Sequence, residues 1–210
     1  MARIAAAPAA SGVKLDLFHG LAVFWLAAIV ASAIAPVNPV VWLLENALTL
    51  VATFYLVLTR RTIPLSRAAY VCCAIFLALH EIGAHYTYMR VPVGAWVEHV
   101  FGLPRNDYDR LVHFAFGLLV TLPFRETLVR FMKAPGWFTY VFPVLLILAL
   151  SSGYEILEAR VVAAAPDAGT AFLAMQGDLF DSQADMACAM AGSIICMTTA
   201  AVLNRRAGSR

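Results

Sequence analysis

The stretch VFPVLLILALSSGYEILEA, residues 141–159, begins as an unbroken apolar run and ends with two acidic residues, Glu155 and Glu158. Extended back to residue 137, the run reaches the ~20 residues that a helix needs to cross the hydrocarbon layer of a bilayer. Ionisable groups are costly within such a span, so they usually face the interior of a helix bundle and mark function. The stretch therefore predicts a membrane-spanning helix with functional carboxylates near one end.

The rest of the chain has the same apolar character. Of its 210 residues, 62% are hydrophobic and 13% are charged, and the mean hydropathy is +0.79. Average soluble domains are about 45–50% apolar and about 25% charged. This composition excludes a disordered chain and a small disulfide-linked secreted domain. The net charge of +2 gives no sign of a nucleic-acid partner, so the expected partners are membrane lipids.

Six apolar windows of about 19 residues predict an all-α, polytopic membrane bundle in one domain. Strands are disfavoured because no window alternates strictly between apolar and polar residues, and lipid-exposed backbone must be satisfied within a helix or a closed barrel. We expect a flexible N-terminal tail over residues 1–14. The predicted spans are 17–35, 40–58, 66–84, 110–129, 137–157 and 184–203.

The Lys and Arg residues predict an orientation in the cell inner membrane. With the N-terminus in the cytoplasm, eleven of the fifteen basic residues fall in cytoplasmic segments and four fall outside. The excess of basic residues on the cytoplasmic side predicts that both termini are cytoplasmic. The two long connections, 85–109 and 158–183, would then lie on the outer face, and long connections in compact proteins are often functional.

Ionisable residues from four distant segments are expected at one depth near that outer face. They include three of the five histidines and eight of the thirteen carboxylates. Spacings of three, four and seven residues place several of them on common helix faces. The group consists of His80, Glu81, His85, Asp107, Asp109, His113, Glu155, Glu158, Asp178, Asp181 and Asp185.

So many carboxylates near one another need bound protons or a cation to offset their repulsion. Mixed imidazole and carboxylate ligands suit zinc or manganese, whereas carboxylates alone suit magnesium. The predicted cofactor is therefore a divalent metal ion, with zinc, manganese and magnesium left open. Its predicted ligands are His80, His85, Asp109, His113, Glu155 and Asp185.

A metal-dependent enzyme acting on lipid or lipid-linked substrates is one function that this group favours. The metal would activate a bound water, and Glu81 or Asp181 would serve as the general base. Guanidinium groups bind phosphate through paired hydrogen bonds, so Arg90, Arg105 and Arg110 are the predicted substrate-binding residues.

Two other functions stay open at the level of the sequence. An ion- or proton-coupled transporter would need a polar path from the cluster to the cytoplasm, and Glu45 is the one charged residue along that path. Six spans are few for transport, so a transporter would also need to form a homo-oligomer. A non-catalytic assembly factor would use the same polar residues to lock the bundle. In that case Asp107 or Asp109, and likewise Asp181, would cap the N-termini of helices.

The sequence His80-Glu81 followed by His85 does not fit the His-Glu-x-x-His zinc motif. The second histidine comes one position late, so on an ideal helix the two imidazoles diverge by about 140°. By contrast, residues 92–103 have apolar side chains at Val93, Trp96, Val97, Val100 and Phe101, which predicts a short amphipathic helix on the outer surface.

Four separated motifs carry a resemblance to a known family: HEIGAHYTYMRVP (80–92), RNDYDRLVHFAFG (105–117), YEILEA (154–159) and QGDLFDSQADM (176–186). Across nearly the whole chain, the sequence resembles the YjdF family of bacterial inner-membrane proteins. The last two motifs resemble the VanZ-like membrane proteins more weakly. At Ala159 the chain departs from YjdF-like sequences, which tend to have tryptophan there. The resemblance implies a small multispanning helical protein of the cytoplasmic membrane and implies no particular activity.

Overall fold

The computed structural model describes residues 17–132, 136–165, 172 and 175–208, so the predicted tail over residues 1–14 lies outside the described residues. Within the described ranges the regular elements are helical, which confirms the predicted all-α bundle. They are α1 (Leu17–Ser32), α2 (Pro39–Thr59), α3 (Arg67–Tyr86), α4 (Pro92–Phe101), α5 (Tyr108–Ala115), a π-helical turn (Phe116–Val120), α6 (Thr121–Met132), α7 (Phe138–Ala164) and α8 (Asp181–Gly208).

Within the described part of the chain, five helical segments are long and apolar enough to cross a membrane. They are α2, α3, the continuous segment Tyr108–Arg130 formed by α5, the π turn and α6, and the two long helices α7 and α8. The first predicted span corresponds to α1, a shorter apolar helix of 16 residues. The chain is therefore a multi-pass helical membrane protein.

The helices extend past the apolar windows where acidic residues follow. The window 137–157 becomes α7, which ends at Ala164, and the window 184–203 becomes α8, which begins at Asp181. Hydropathy truncates both helices because Glu158 and Asp181 are polar, although both side chains are buried against other helices. These two acids therefore lie on buried faces of helices and not in exposed loops.

Short polar motifs fix where the helices begin. The Asn38 side chain accepts hydrogen bonds from the amides of Val40 and Val41, with Pro39 at the first helical position of α2. Ser66 caps α3, and its own amide and hydroxyl donate to the Glu126 carboxylate of α6, at 2.7 and 2.5 Å. The start of α3 is thereby tied to α6.

At the opposite end of α3 lies the part of the bundle that carries most of the ionisable groups. We call it the site end, and it comprises the last turns of α3 and α7 and the first turns of α5 and α8. The predicted amphipathic segment forms α4 here, with Val93, Trp96 and Phe101 exposed. This exposed apolar face suits an interfacial helix.

The helix α8 packs closely against α5, the π turn and α7, and glycines permit the closest approach. A Cβ atom on Gly117 would collide with the backbone carbonyl of Ala189 in α8, and a Cβ on Gly192 would collide with the carbonyl of Phe114. Small residues at a crossing let membrane helices come close enough to bury polar groups between them. These two glycines therefore set the distance between α5 and α8.

We expect Gly117→Ala and Gly192→Ala each to lower the free energy of unfolding by about 1–3 kcal/mol, since the added methyl meets backbone that cannot rotate away. Thermal unfolding in detergent, followed by size-exclusion chromatography, would measure the loss. Gly20→Ala is the matched control because a Cβ on Gly20 has nothing within 4 Å. Equal stability of all three variants would show that the crossing is not closely packed.

Candidate functional site: a buried cluster of carboxylates and imidazole

The π-helical turn and the glycine crossing bring α5 and α8 together at the site end. Asp109 and His113 are one turn apart on α5, and Asp185 faces them from α8. One ligand atom of each of these three residues lies within 4.8 Å of the others. A π turn directly after His113 fits the frequent use of such turns at functional sites.

Glu155 of α7 completes the cluster. Its Oε1 atom is 3.6 Å from Nε2 of His113, and Oδ1 of Asp109 is 3.7 Å from the same nitrogen. Glu158 and Ser182 lie beside the Glu155 carboxyl group. Ser151 approaches the opposite ring nitrogen of His113, at 3.4 Å. The imidazole is therefore surrounded by polar side chains from three helices.

The cluster is enclosed and incompletely hydrogen-bonded. Asp185 and Glu155 are only 2% and 6% exposed, and Oδ1 of Asp185 and Oε1 of Glu155 have no hydrogen-bond partner among the residues that the structure describes. Buried carboxylate oxygens without partners are rare, because each loses its hydration without compensation. Several adjacent carboxylates in such surroundings require bound protons or a cation.

A second set of polar groups adjoins the cluster at the end of a cavity. The Tyr154 hydroxyl donates to Oε2 of Glu45 at 2.6 Å, joining α7 to α2. The Tyr88 hydroxyl lies 2.6 Å from Nδ1 of His80, and burial raises the pKa of Tyr88 well above its usual value. All four residues line the same cavity as Asp109 and His113.

Two of the predicted site residues on α3 face elsewhere. Glu81 is buried and accepts a hydrogen bond from the Ser32 hydroxyl of α1. His85 contacts the Ser32 carbonyl oxygen through Nδ1 at 2.9 Å, and Trp42 donates to the Ser32 hydroxyl at 3.0 Å. These groups join α1, α2 and α3. The predicted roles of Glu81 as a base and of His85 as a ligand stay predictions.

Two of the three predicted substrate-binding arginines form ion pairs with carboxylates of the chain itself. Arg105 pairs with Asp181 and approaches Asp107 at 3.4 Å, while Arg110 pairs with Asp178 and approaches Asp107 at 3.2 Å. The predicted base Asp181 is thus bonded to Arg105. Asp107 does precede α5, but its side chain forms these ion pairs and no capping hydrogen bond.

This network of ion pairs lies next to the cluster, at the end of the bundle where the connections before α5 and α8 run. The Phe180 amide and the Arg110 guanidinium hold the pKa of Asp178 below its usual value. Arg105 is buried, and its Nη1 also donates to the Met175 carbonyl. The third predicted arginine, Arg90, is exposed. Roles for these arginines in substrate binding stay predictions.

Asn106 is a residue that the sequence analysis missed. Its amide nitrogen donates to the carbonyl groups of Met89 and Val91, and its amide oxygen accepts from the Tyr108 backbone N–H. Its own backbone exchanges two hydrogen bonds with the Gln176 side chain. An asparagine in a polar connection carries no signal of this role, because its partners come from two other connections.

The tyrosines were missed for a different reason. Tyr88 and Tyr154 resemble residues of an interfacial aromatic belt, yet both hydroxyl groups point to buried ionisable partners. Glu45 was recognised as the charged residue inside the second span, and the structure shows it at the polar end of the cavity. A lone acid within an apolar window was the available signal.

These features define a class: a multi-pass helical membrane protein with a buried carboxylate and imidazole cluster at one end of its bundle. The chain belongs to the family described as "Predicted membrane protein (DUF2238)", whose model matches residues 17–206. It is 35% identical over 167 residues to the inner membrane protein YjdF of Escherichia coli (strain K12), covering 79% of this chain and 80% of that protein. These matches confirm the resemblance to the YjdF family that the four motifs carry. They also confirm the inner membrane as the location of the protein. No solved structure matches the chain.

We expect Asp181→Asn to lower the free energy of unfolding by about 3 kcal/mol, because the buried Arg105 guanidinium loses its closest charged partner and keeps only the longer contacts with Asp107 and Asp178, at 3.4 and 3.9 Å. The side chains of Arg105 and Asp181 are only 4% and 5% exposed. Replacing both, as Arg105→Met with Asp181→Leu, should recover most of the loss. Unfolding by SDS in mixed micelles would measure each variant.

Asp178→Asn is the matched control, since its partner Arg110 and Asp178 itself are 26% and 31% exposed. Solvent-exposed ion pairs contribute little to stability, so this variant should unfold nearly as the native protein does. A loss as large as that of Asp181→Asn would contradict the distinction between the two pairs.

Proposed function

We propose that the protein is a metal-dependent membrane enzyme that acts on a lipid or lipid-linked substrate at the outer leaflet of the inner membrane. The observation that carries the proposal is the convergence of Asp109, His113 and Asp185, whose ligand atoms lie within 4.8 Å of one another, beside Glu155, which contacts His113 at 3.6 Å. Two buried carboxylate oxygens, one each on Asp185 and Glu155, have no hydrogen-bond partner among the described residues. One divalent cation among these groups would provide those oxygens with a partner and offset their charge.

The spacing of the donor atoms supports a small transition-metal site. Ligand atoms that share a tetrahedral metal at about 2.1 Å lie roughly 3.4 Å from one another. The contacts of His113 with Asp109 and Glu155, at 3.7 and 3.6 Å, need only slight contraction to reach that spacing. One imidazole with several carboxylates suits zinc or manganese better than magnesium.

A metal in this position would supply Lewis acidity and a bound water of lowered pKa. The chain would contribute a proton acceptor beside that water. Glu158 adjoins Glu155 and lines the cavity, whereas Asp181 and Glu81 are bonded to Arg105 and Ser32. We therefore favour Glu158 as the general base, with Asp181 and Glu81 serving to position other groups.

The distribution of basic residues supports an outward-facing site. Arg105 and Arg110 lie at the site end, and eleven of the fifteen basic residues belong to the segments assigned to the cytoplasm. This arrangement follows the positive-inside rule and directs the site end to the periplasm. A substrate of the outer leaflet would meet the cluster at the depth of its polar headgroup.

We expect the detergent-purified protein to bind about one zinc or manganese ion per chain, measured by elemental analysis after dialysis against the metal. Asp185→Asn and Glu155→Gln should reduce the bound metal to background, because each removes an anionic ligand while keeping the shape of the side chain. Asp178→Asn, outside the cluster, should bind as the native protein does.

Thermal unfolding separates this proposal from a purely structural cluster. A cation at 100 times its Kd stabilises the folded state by about 2.7 kcal/mol. The native protein should therefore unfold at a higher temperature with metal, and Asp185→Asn should not respond. If the native protein binds no metal and the substitutions only lower the unfolding temperature, the cluster is a structural lock and the enzyme proposal is wrong.

A further inference from the structure

A long cavity extends away from the cluster into the apolar part of the bundle. Its volume is about 550 Å³, within the range of roughly 300–1,000 Å³ that small-molecule sites occupy. At the site end it is lined by Glu158 and Phe172, and at the opposite end by Leu65 and Thr127. The cavity thus continues well beyond the residues that we assign to the metal.

The cavity is as deep as a bilayer is thick. Asp109 and Thr127 both line it and are 18 residues apart, which corresponds to about 27 Å along a helix and compares with ~30 Å for the hydrocarbon layer. Between the ends the walls are mainly aliphatic and aromatic, with Leu56, Phe76 and Phe116 among them. Charged and imidazole groups line only the site end, so the cavity has one polar end and one apolar shaft.

The shaft lies between two helices that do not pack closely against each other. Both α2 and α7 line the cavity, yet α2 packs mainly on α3, and α7 packs on α6 and α8. Ala52 of α2 and Ala149 and Gly153 of α7 line the cavity and are nevertheless exposed. The cavity is therefore accessible from the side of the bundle, where the membrane lipids are.

We propose that this cavity binds a single hydrocarbon chain of a membrane lipid, which enters from the bilayer between α2 and α7 and places its polar group at the carboxylate and imidazole cluster. The inference rests on the proposed function, which it deepens by naming the substrate as a lipid with at least one long chain held inside the protein. The chain is an acyl or an isoprenoid chain, since both have the required apolar chemistry.

Size and surroundings favour a lipid chain over other occupants. A transmembrane helix about 10 Å wide and of the same length would occupy roughly 2,000 Å³, far more than the cavity offers. Water would find few polar partners along the shaft, and it occupies cavities only where such partners exist. Lipid chains surround the opening at high concentration. Among the described lining residues, the charged and imidazole groups are confined to the site end, which fixes the direction of the bound chain.

Gly153 offers a direct way to block the cavity. Among the described residues, a Cβ on Gly153 has nothing within 4 Å, so the backbone accepts a side chain there, and Gly153→Phe adds a bulky ring at a residue that lines the cavity. Gly20→Phe is the matched control, because Gly20 has the same free space on α1 and does not line the cavity. Both variants replace an exposed helical glycine by the same residue.

The test is photo-crosslinking of the full chain in nanodiscs that contain either a diazirine-labelled phospholipid or a diazirine-labelled polyprenyl phosphate. We expect at least one probe to label α2 and α7 at cavity-lining residues, and Gly153→Phe to reduce that labelling by about fivefold or more. Gly20→Phe should label as the native protein does. The probe that labels identifies the chain as acyl or isoprenoid.

Labelling that Gly153→Phe leaves unchanged, labelling confined to the outer surfaces, or crosslinks from the cavity to a second copy of the chain would each overturn the inference. The labelling should persist in EDTA, because the shaft holds the chain without the metal. Chain labelling without metal binding would overturn the enzyme proposal alone, and metal binding without chain labelling would overturn the cavity inference alone.

Discussion

A carboxylate cannot face hydrocarbon, and this constraint arranges the site end of the bundle. Three of the acids there are held by partners from other parts of the chain: Glu81 by Ser32 of α1, Glu45 by Tyr154 of α7, and Asp181 by Arg105. Other carboxylates lie around His113 and face one another. No internal cation among the described residues pairs with all of them. Among the described residues, the cluster therefore brings several carboxylates together without a cation for each of them, and a bound cation or protons must offset their charge.

The sequence sufficed for the fold class because the apolar windows and the bilayer thickness leave few alternatives. It also sufficed for four members of the cluster. Asp109 and His113 share a face through their spacing of four residues, and Glu155 and Asp185 lie deep in apolar runs, where an acid must turn inward. In these cases the helical spacing and the cost of exposing an acid to lipid both predict that the side chain faces the interior of the bundle. Hydropathy alone could not place the true ends of α7 and α8, because it counts a buried acid as a loop residue.

Other placements depend on which neighbouring helix each face meets. His80 and Glu81 are adjacent in sequence, yet His80 lines the cavity with Tyr88 while Glu81 bonds to Ser32 of α1. Successive residues on a helix differ by about 100° in direction, so proximity in sequence does not mean proximity in the bundle. The rotation of α3 is set by its packing against α1 and α2. The arginines illustrate the same point, since the partners Asp181 of Arg105 and Asp178 of Arg110 lie 76 and 68 residues further along the chain.

Access to the cavity depends most on how α2 is attached to the rest of the bundle. It packs mainly on α3, and the hydrogen bond from Tyr154 to Glu45 joins it to α7 at the border between the polar cluster and the apolar shaft. Interhelical hydrogen bonds in membranes contribute only about 0.6 kcal/mol on average. A small movement of α2 away from α7 would therefore cost little and would leave the tightly packed crossing of α5 and α8 intact. The closely packed helices α5, α7 and α8 thus hold the cluster, whereas α2, which packs mainly on α3, borders the opening of the cavity.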